Sequence, residues 1–357
     1  MEDQKEQSNQ ILNPHQISKL LTTSRFPIPE CLLTKHVHLL SLQQAKFKPG
    51  CFSKNIRWNL EFGCLYKGPN YKMIGSNSTK MKCVSKIIHL QNSSGIIANY
   101  KDEFIQKVKF KSDEIKVENE IKTKVFDLAM MPDGKLLLSK ETSDLELFSM
   151  NGDREFFHSF YPFLTFGVYV CKDEIFVGIA KSLEKSKNYR DGRIVVLDMK
   201  GQEKCTFGTE IKSGKLFFNC PTRIVANSDI ICVIDTFKRD EDNNMLSDGR
   251  IVGLNHKGEK KWSYSDKSGA LFELFHPQNI TLTSAGLILA SDYRDDSIHA
   301  INKDGDITGW IKLQDIGNPR FPMSVDVDDQ GILWVGCGTK KNYQEVKTQK
   351  IYSFKLS

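Results

Sequence analysis

One layout recurs along most of this chain. It consists of a short apolar run, a turn, a β-rich run, a polar connection, a second β-rich run, a Gly turn and a further β-rich run. The clearest copy reads HPQNITL from His276, turns at Ser284-Ala285-Gly286, continues as LILASD, loops through YRDD, and returns as SIHAIN. It then turns at Lys303-Asp304-Gly305 into ITGWI. The next copy starts FPMSVDV at Phe321, turns at DDQG and resumes as ILWVG, so that Gly286 and Gly331 stand 45 residues apart. Upstream, VFDLAMMPDGKLLLSK precedes LELFSMNGD, GVYVCKDEIFVGIA precedes GRIVVLDMKGQ, and TRIVANSDIICVIDT precedes GRIVGLNHKGE.

Gly152, Gly201, Gly258 and Gly305 close these units, each supplying the positive φ of a tight hairpin, and REFFHSF, EKCTF, KKWSY and ITGWI follow them. Four antiparallel strands in a unit of this length make a β-propeller blade. A weaker copy lies at KCVSKIIHL, IIANY, FIQKVKF and EIKVENEI. The fold class is therefore all-β: a six-bladed propeller of four-stranded blades at about 82–124, 125–160, 166–207, 220–264, 278–311 and 322–356. The last unit holds three strands. An open edge invites edge-to-edge pairing, so a strand from 56–74, such as RWNLEF or YKMIG, is expected to complete it. Residues 1–55 carry no repeat and read as a partly disordered extension.

Composition narrows the setting. No apolar run approaches the ~18 residues of a membrane-spanning helix, and MEDQKEQSNQ has neither basic nor apolar signal character. The nine cysteines contain no C-x-x-C pair, so zinc-ribbon and dithiol redox chemistry lack their spacing, and Cys31, His36 and His38 lack a partner pair. Reduced thiols in a cytoplasmic protein are expected. Residues 56–124 hold 13 Lys/Arg against 7 Asp/Glu, whereas 125–357 hold 30 against 33. The balance of the larger part disfavours an obligate nucleic-acid binder, and no DNA or membrane partner is expected.

The units HPQNITLTSAGLILASDYRDDSIHAINKDGD, FPMSVDVDDQGILWVGC and GRIVVLDMKGQEKCTF resemble NHL repeats. Their order is similar to that in the C-terminal propellers of tripartite-motif proteins, over about residues 80–357. That resemblance implies a binding scaffold. RING and B-box cysteine spacing is missing, so ligase activity does not carry over. The fold also resembles calcium-dependent lactonases, which implies an alternative: a hydrolase with a channel metal held by Asp235 and Asp292. Against it, Gln278 stands where those enzymes place an Asn ligand, and an Asp ending a strand commonly binds local amides. No P-loop, dinucleotide fingerprint, nucleophile elbow or HExxH occurs, and no cofactor is expected. His276 and His299 read as blade residues, and Trp262, Trp310 and Trp334 as packing.

The connections between second and third strands share a face with those entering each blade. Three are long, beginning at Lys181, Phe237 and Thr339. Binding residues concentrate on loops held by a rigid scaffold. The expected binding set is Lys187, Tyr189, Arg190, Lys238, Arg239, Tyr293, Arg294, Arg320, Phe321, Lys340, Lys341 and Tyr343. Such a mixture of cations and aromatics suits a protein partner, with single-stranded RNA the alternative.

Overall fold

The computed structural model describes residues 71–356 apart from 101–102, 112–113, 184–187, 210–215, 241–244, 266–274 and 339–348. Its strands form six four-stranded antiparallel sheets. Blade A contains β2 to β5 (Lys86–Leu90, Ser94–Asn99, Phe104–Phe110, Ile115–Lys122), and blade B contains β6 to β9 (Asp127–Met130, Leu136–Ser139, Asp144–Phe148, Arg154–Ser159). Blade C contains β10 to β13 (Leu164–Cys171, Glu174–Leu183, Asn188–Leu197, Glu203–Phe207). Blade D contains β14 to β17 (Pro221–Ala226, Ile231–Asp240, Met245–Leu254, Lys260–Tyr264). Blade E follows with β18 to β21 (Pro277–Leu282, Ile288–Asp292, Ser297–Ile301, Ile307–Lys312). Blade F consists of β22 to β24 (Pro322–Val327, Leu333–Cys337, Lys350–Leu356) and is completed by β1 (Tyr71–Ser78).

The outermost strands are far more exposed than the strands inside them. All six residues of β14 are buried, whereas β13 buries only Phe207. An inner strand is flanked by sheets on both faces, so a nearly continuous apolar run is stable there. The apolar residues collect between neighbouring sheets. Phe176, Ile194 and Val196 of blade C pack with Ile224, Val233 and Val252 of blade D, and comparable clusters fill the other junctions.

A second device repeats between blades. The closing-turn glycines have φ of 92°, 84°, 78° and 88° at Gly152, Gly201, Gly258 and Gly305. Three of these turns receive an aromatic ring from the outer strand of the preceding blade. Phe157 covers Gly201, Phe207 covers Gly258 and Trp262 covers Gly305. A Cβ at Gly258 would lie 2.2 Å from the Phe207 ring, and one at Gly305 2.6 Å from Trp262. Trp262 also donates its Nε1–H to the Lys303 carbonyl at 2.8 Å, an interblade bond that fits its reading as packing.

The ring closes through β1, antiparallel to β24 from Tyr71↔Leu356 to Ser78↔Lys350, with a bulge between Met73 and Gly75. The strand starts inside the window expected from sequence and runs past its end. Ser76, Asn77 and Ser78 continue the ladder opposite Tyr352, Ile351 and Lys350. The other sequence candidate, RWNLEF, lies outside the described residues. No helix among the described residues is long and apolar enough to cross a membrane.

Removing residues 1–80 takes β1 away and leaves β24 as an open edge. We expect that product to elute as higher oligomers or aggregate in size-exclusion chromatography. Removing only residues 1–45 keeps β1 and should leave a monodisperse protein; equal behaviour of the two would refute closure by β1.

Candidate functional site

In blades D, E and F a backbone hydrogen bond fastens the region where the second strand leaves the hub to the crossing that enters the same blade. Tyr293 N–H donates to the His276 carbonyl at 3.1 Å, Thr236 N–H to Cys220 at 2.9 Å and Gly338 N–H to Phe321 at 2.8 Å. Two connections read as loops from sequence are instead extended hairpins. Lys181, Ser182 and Leu183 pair with Arg190, Tyr189 and Asn188, and Lys238 to Asp240 pair with Ser247 to Met245. The ladder continues because each arm satisfies the other's backbone donors and acceptors. Tyr189, Arg190, Lys238 and Arg239 therefore sit on strands, while Lys187, Lys340, Lys341 and Tyr343 lie outside the described residues.

Of the expected set, Tyr293, Arg320 and Phe321 come together. The Tyr293 and Phe321 rings are 5.2 Å apart, and the Arg320 guanidinium stands 5.4 Å over Phe321. Asp296 organises the group: its carboxylate accepts from Phe321 N–H at 2.6 Å and pairs with Arg320 Nε at 2.5 Å. Phe321 has φ 57°, a left-handed conformation that costs a bulky residue roughly 1–3 kcal/mol and persists only where neighbours enforce it. Arg294 is exposed in the same corner, its N–H bound to Asp292 Oδ1 at 2.9 Å. Arg190 is also exposed. Tyr189 turns inward: its hydroxyl donates to Glu141 Oε1 at 2.6 Å and its ring meets Phe166 edge-on at 4.8 Å.

At the hub, the strand registers place Lys86, Asp127, Gly167, Arg223, Asn279 and Ser324 at one level, one from each innermost strand. Lys86 Nζ pairs with Asp127 Oδ1 at 2.8 Å, and Asp127 Oδ2 accepts Val168 N–H at 3.1 Å. Asn279 Nδ2 donates to the Ser85 carbonyl at 3.3 Å and Ser324 Oγ to Val84 at 2.8 Å. Blade C contributes no side chain, and a Cβ at Gly167 would meet Arg223 Cα at 3.0 Å. Arg223, 7% exposed, reaches from blade D to blade B and lays its guanidinium 4.8 Å from the Phe126 ring centre. Phe126 in turn packs edge-on against Phe166 at 5.3 Å.

Further along the inner strands the channel widens into a cavity of about 370 Å³ with lining from all six. Asp326, Asp328 and Asp329 are among its lining, and Asp326 accepts from His89 N–H at 2.8 Å and Thr281 Oγ1 at 3.3 Å. Burial, with Asp326 adding repulsion, pushes the Tyr169 phenol in the same wall up to about 12.

Asp292 ends β19 as the sequence suggested, whereas Asp235 lies midway along β15, which runs on to Asp240; both have oxygens committed locally. Asp235 Oδ1 accepts from Asn219 and Cys220 N–H at 2.8 and 2.9 Å, and its Oδ2 takes Arg250 Nε at 3.1 Å. Burial raises its pKa despite Arg250. Asp292 Oδ1 accepts from Arg294 and Asp295 N–H, while Oδ2 faces His299 Nε2 at 3.7 Å. Burial pushes Asp292 up to about 6 and the His299 imidazole down to about 3. Tyr264 Oη lies 2.8 Å from His299 Nδ1. Among the described residues no three His, Cys, Asp or Glu side chains are grouped to hold a metal.

Arg223, Phe126 and Tyr100, which packs with Tyr293 around Cys83 and Met323, do not figure among the sequence candidates. The signal for Arg223 is its column: aligning CPTRIVA with HPQNITL and FPMSVDV puts it level with Asn279 and Ser324.

No family model matches the sequence, and no curated protein sequence matches it. Solved structures do. A luciferin-regenerating enzyme is similar at 10% identity over 80% of this chain and 95% of that one, with a TM-score of 0.57. The WD40 β-propeller domain of Doa1 aligns at 11% identity over 81% and 98%, with a TM-score of 0.52. A catalytically inactive virginiamycin B lyase from Staphylococcus aureus, with quinupristin, aligns at 14% identity over 81% and 100%, with a TM-score of 0.50. At these identities the likeness shows the propeller fold alone.

Asp292 gives a pH test. Its folded pKa of about 6 exceeds the ordinary aspartate value of 3.8, so it favours folding below about pH 4 relative to neutral pH and loses that contribution as pH rises through 6. His299 acts oppositely, losing stability as pH falls from 6.5 towards 3. Asp292→Asn keeps the amide-accepting oxygen and removes the charge. We expect it to melt near wild type at pH 4 and a few degrees higher at pH 7.5; a variant that melts lower at pH 7.5 would show that the ionised carboxylate stabilises the corner.

Proposed function

We propose that this protein is a non-enzymatic interaction scaffold that captures a protein partner on the face carrying Tyr293, Arg294, Arg320 and Phe321. The observation that carries this reading is the strained Phe321. A bulky residue is held in the left-handed region by an Asp296 carboxylate that also holds Arg320, which maintains an aromatic pair flanked by cations. Aromatic residues and Arg are the types enriched where proteins dock. Single-stranded RNA is the second reading, favoured by Tyr and Arg side by side. The near balance of 30 Lys/Arg against 33 Asp/Glu over residues 125–357 places the protein partner first.

The non-enzymatic reading is supported by Asp235 and Asp292, whose oxygens already serve backbone amides and Arg250. The likeness of the repeat units to NHL propellers of tripartite-motif proteins belongs to the same proposal, as does a cytoplasmic location. The latter is supported by free Cys83, Cys171, Cys205, Cys220, Cys232 and Cys337.

Phe321→Gly suits φ 57° while removing the ring, and Tyr293→Ala removes its neighbour. Combined with Arg294→Glu, these changes should abolish partner capture in a pull-down from cell extract and leave the unfolding midpoint within a few degrees of wild type. RNase treatment separates the partner classes, since capture through RNA would be lost and would also fall steeply with salt. Undiminished capture by the triple variant would overturn the assignment of this face.

A further inference from the structure

Among the described residues, Arg223 is a cation without a counter-ion. Of its three guanidinium nitrogens only Nη1 is hydrogen-bonded, to the Thr222 carbonyl at 2.8 Å, and Nε is buried without a partner. It joins no ion pair among the described residues, although it is 93% buried. The nearest charged pair of its level, Lys86 with Asp127, is internally neutralised, so the level carries one net positive charge. Arg250, in the same blade, shows what an arginine here does with a carboxylate. Its Nε and Nη2 stand 3.1 and 3.0 Å from Asp235 Oδ2. Arg223 presents the same Nε–Nη2 edge with nothing on it.

A buried charge lacking a partner is expensive, and a protein that needed only packing at this point would be better served by an apolar side chain. Gly167 lets the inner strand of blade C pass close to the Arg223 backbone, since a Cβ there would lie 3.0 Å from Arg223 Cα. Phe126 supports the guanidinium by a cation–π contact, which orients the group without neutralising it. The fork formed by Nε and Nη2 matches a planar two-oxygen group better than a point charge would.

We propose that Arg223 is the anchor of an oxyanion subsite at the hub of the propeller, and that its occupant is a carboxylate presented by the partner protein. The proposal rests on the reading of this protein as a scaffold and deepens it. Aromatic contacts at Tyr293 and Phe321 provide area on the rim, and one charge-assisted fork at the centre fixes the partner's register. Nε is buried in the structure described, so its engagement requires the side chain to turn toward the occupant.

The test uses the full chain and two readouts. In thermal unfolding at constant ionic strength, acetate, succinate and the tripeptide Gly-Gly-Asp are titrated against chloride, inorganic phosphate and Gly-Gly-Asn-amide. Wild type should gain roughly 5 °C, saturably, at a hundredfold excess of carboxylate over Kd, with Gly-Gly-Asp above acetate and no gain from the amide. Arg223→Met should melt higher than wild type in chloride and lose the response, and Arg223→Lys should keep a weakened one. A response to phosphate exceeding that to every carboxylate would overturn the carboxylate assignment in favour of a free inorganic anion. An Arg223→Met protein that melts lower than wild type in chloride, with Arg223→Lys equally low and no carboxylate response in wild type, would make the arginine structural and end the proposal. Partner capture gives the second readout. Loss of capture in the Phe321→Gly variant with full capture by Arg223→Met refutes the subsite and spares the face. A carboxylate response that needs Arg223, beside capture indifferent to Phe321, refutes the face, and the subsite would then lack its presenting partner.

Discussion

Every sheet in this molecule is apolar on both faces, and a sheet of that kind is covered only by another sheet. This constraint forces the blades into a ring and forces the ring to close, because an arc would leave two apolar faces in water. Closure through β1 and β24 is therefore the interaction on which the remaining blades depend. The aromatic rings seated on turn glycines at Gly201, Gly258 and Gly305 act at the periphery, where the apolar clusters thin out. They fix how far each blade can rotate against the next.

Closing the ring has a chemical by-product at its centre. Six inner strands converge, and the level bearing Lys86, Asp127, Arg223, Asn279 and Ser324 cannot pack as an ordinary core, since side chains from opposite blades meet across a narrow channel. Four of these five find partners on other strands, tying the blades together by hydrogen bonds. Arg223 alone of the five does not, and it is also the residue whose neighbour in the ring has no side chain. The hub therefore combines a structural lattice of polar bonds with one donor edge left over.

Much of the architecture was legible in the sequence because its signals are local. Turn glycines at regular intervals, alternation over short runs and a final unit short of one strand each follow from backbone geometry within a few residues. The corner at Tyr293 and Phe321 was legible for the same reason, as both residues sit beside turn signals. Other features depend on contacts that sequence distance hides. Tyr189 reads as a rim residue, yet its hydroxyl is taken by Glu141 of another blade. Asp235 and Asp292 read as inward carboxylates, and only the fold reveals the amides that claim them. Arg223 lies in an apolar run, where neither charge count nor motif marks it. Its meaning arises from Gly167 and Phe126, which come from two other blades.

The seam has a mechanical consequence. Tyr71 pairs with Leu356, so the first residue of β1 and the last residue of β24 lie at the same end of blade F. A load drawn between those two points would not shear the ladder with all its bonds sharing the force. It would open them in succession from Tyr71 towards Ser78, as a zip opens. Pulling from any interior turn would meet a stiffer body.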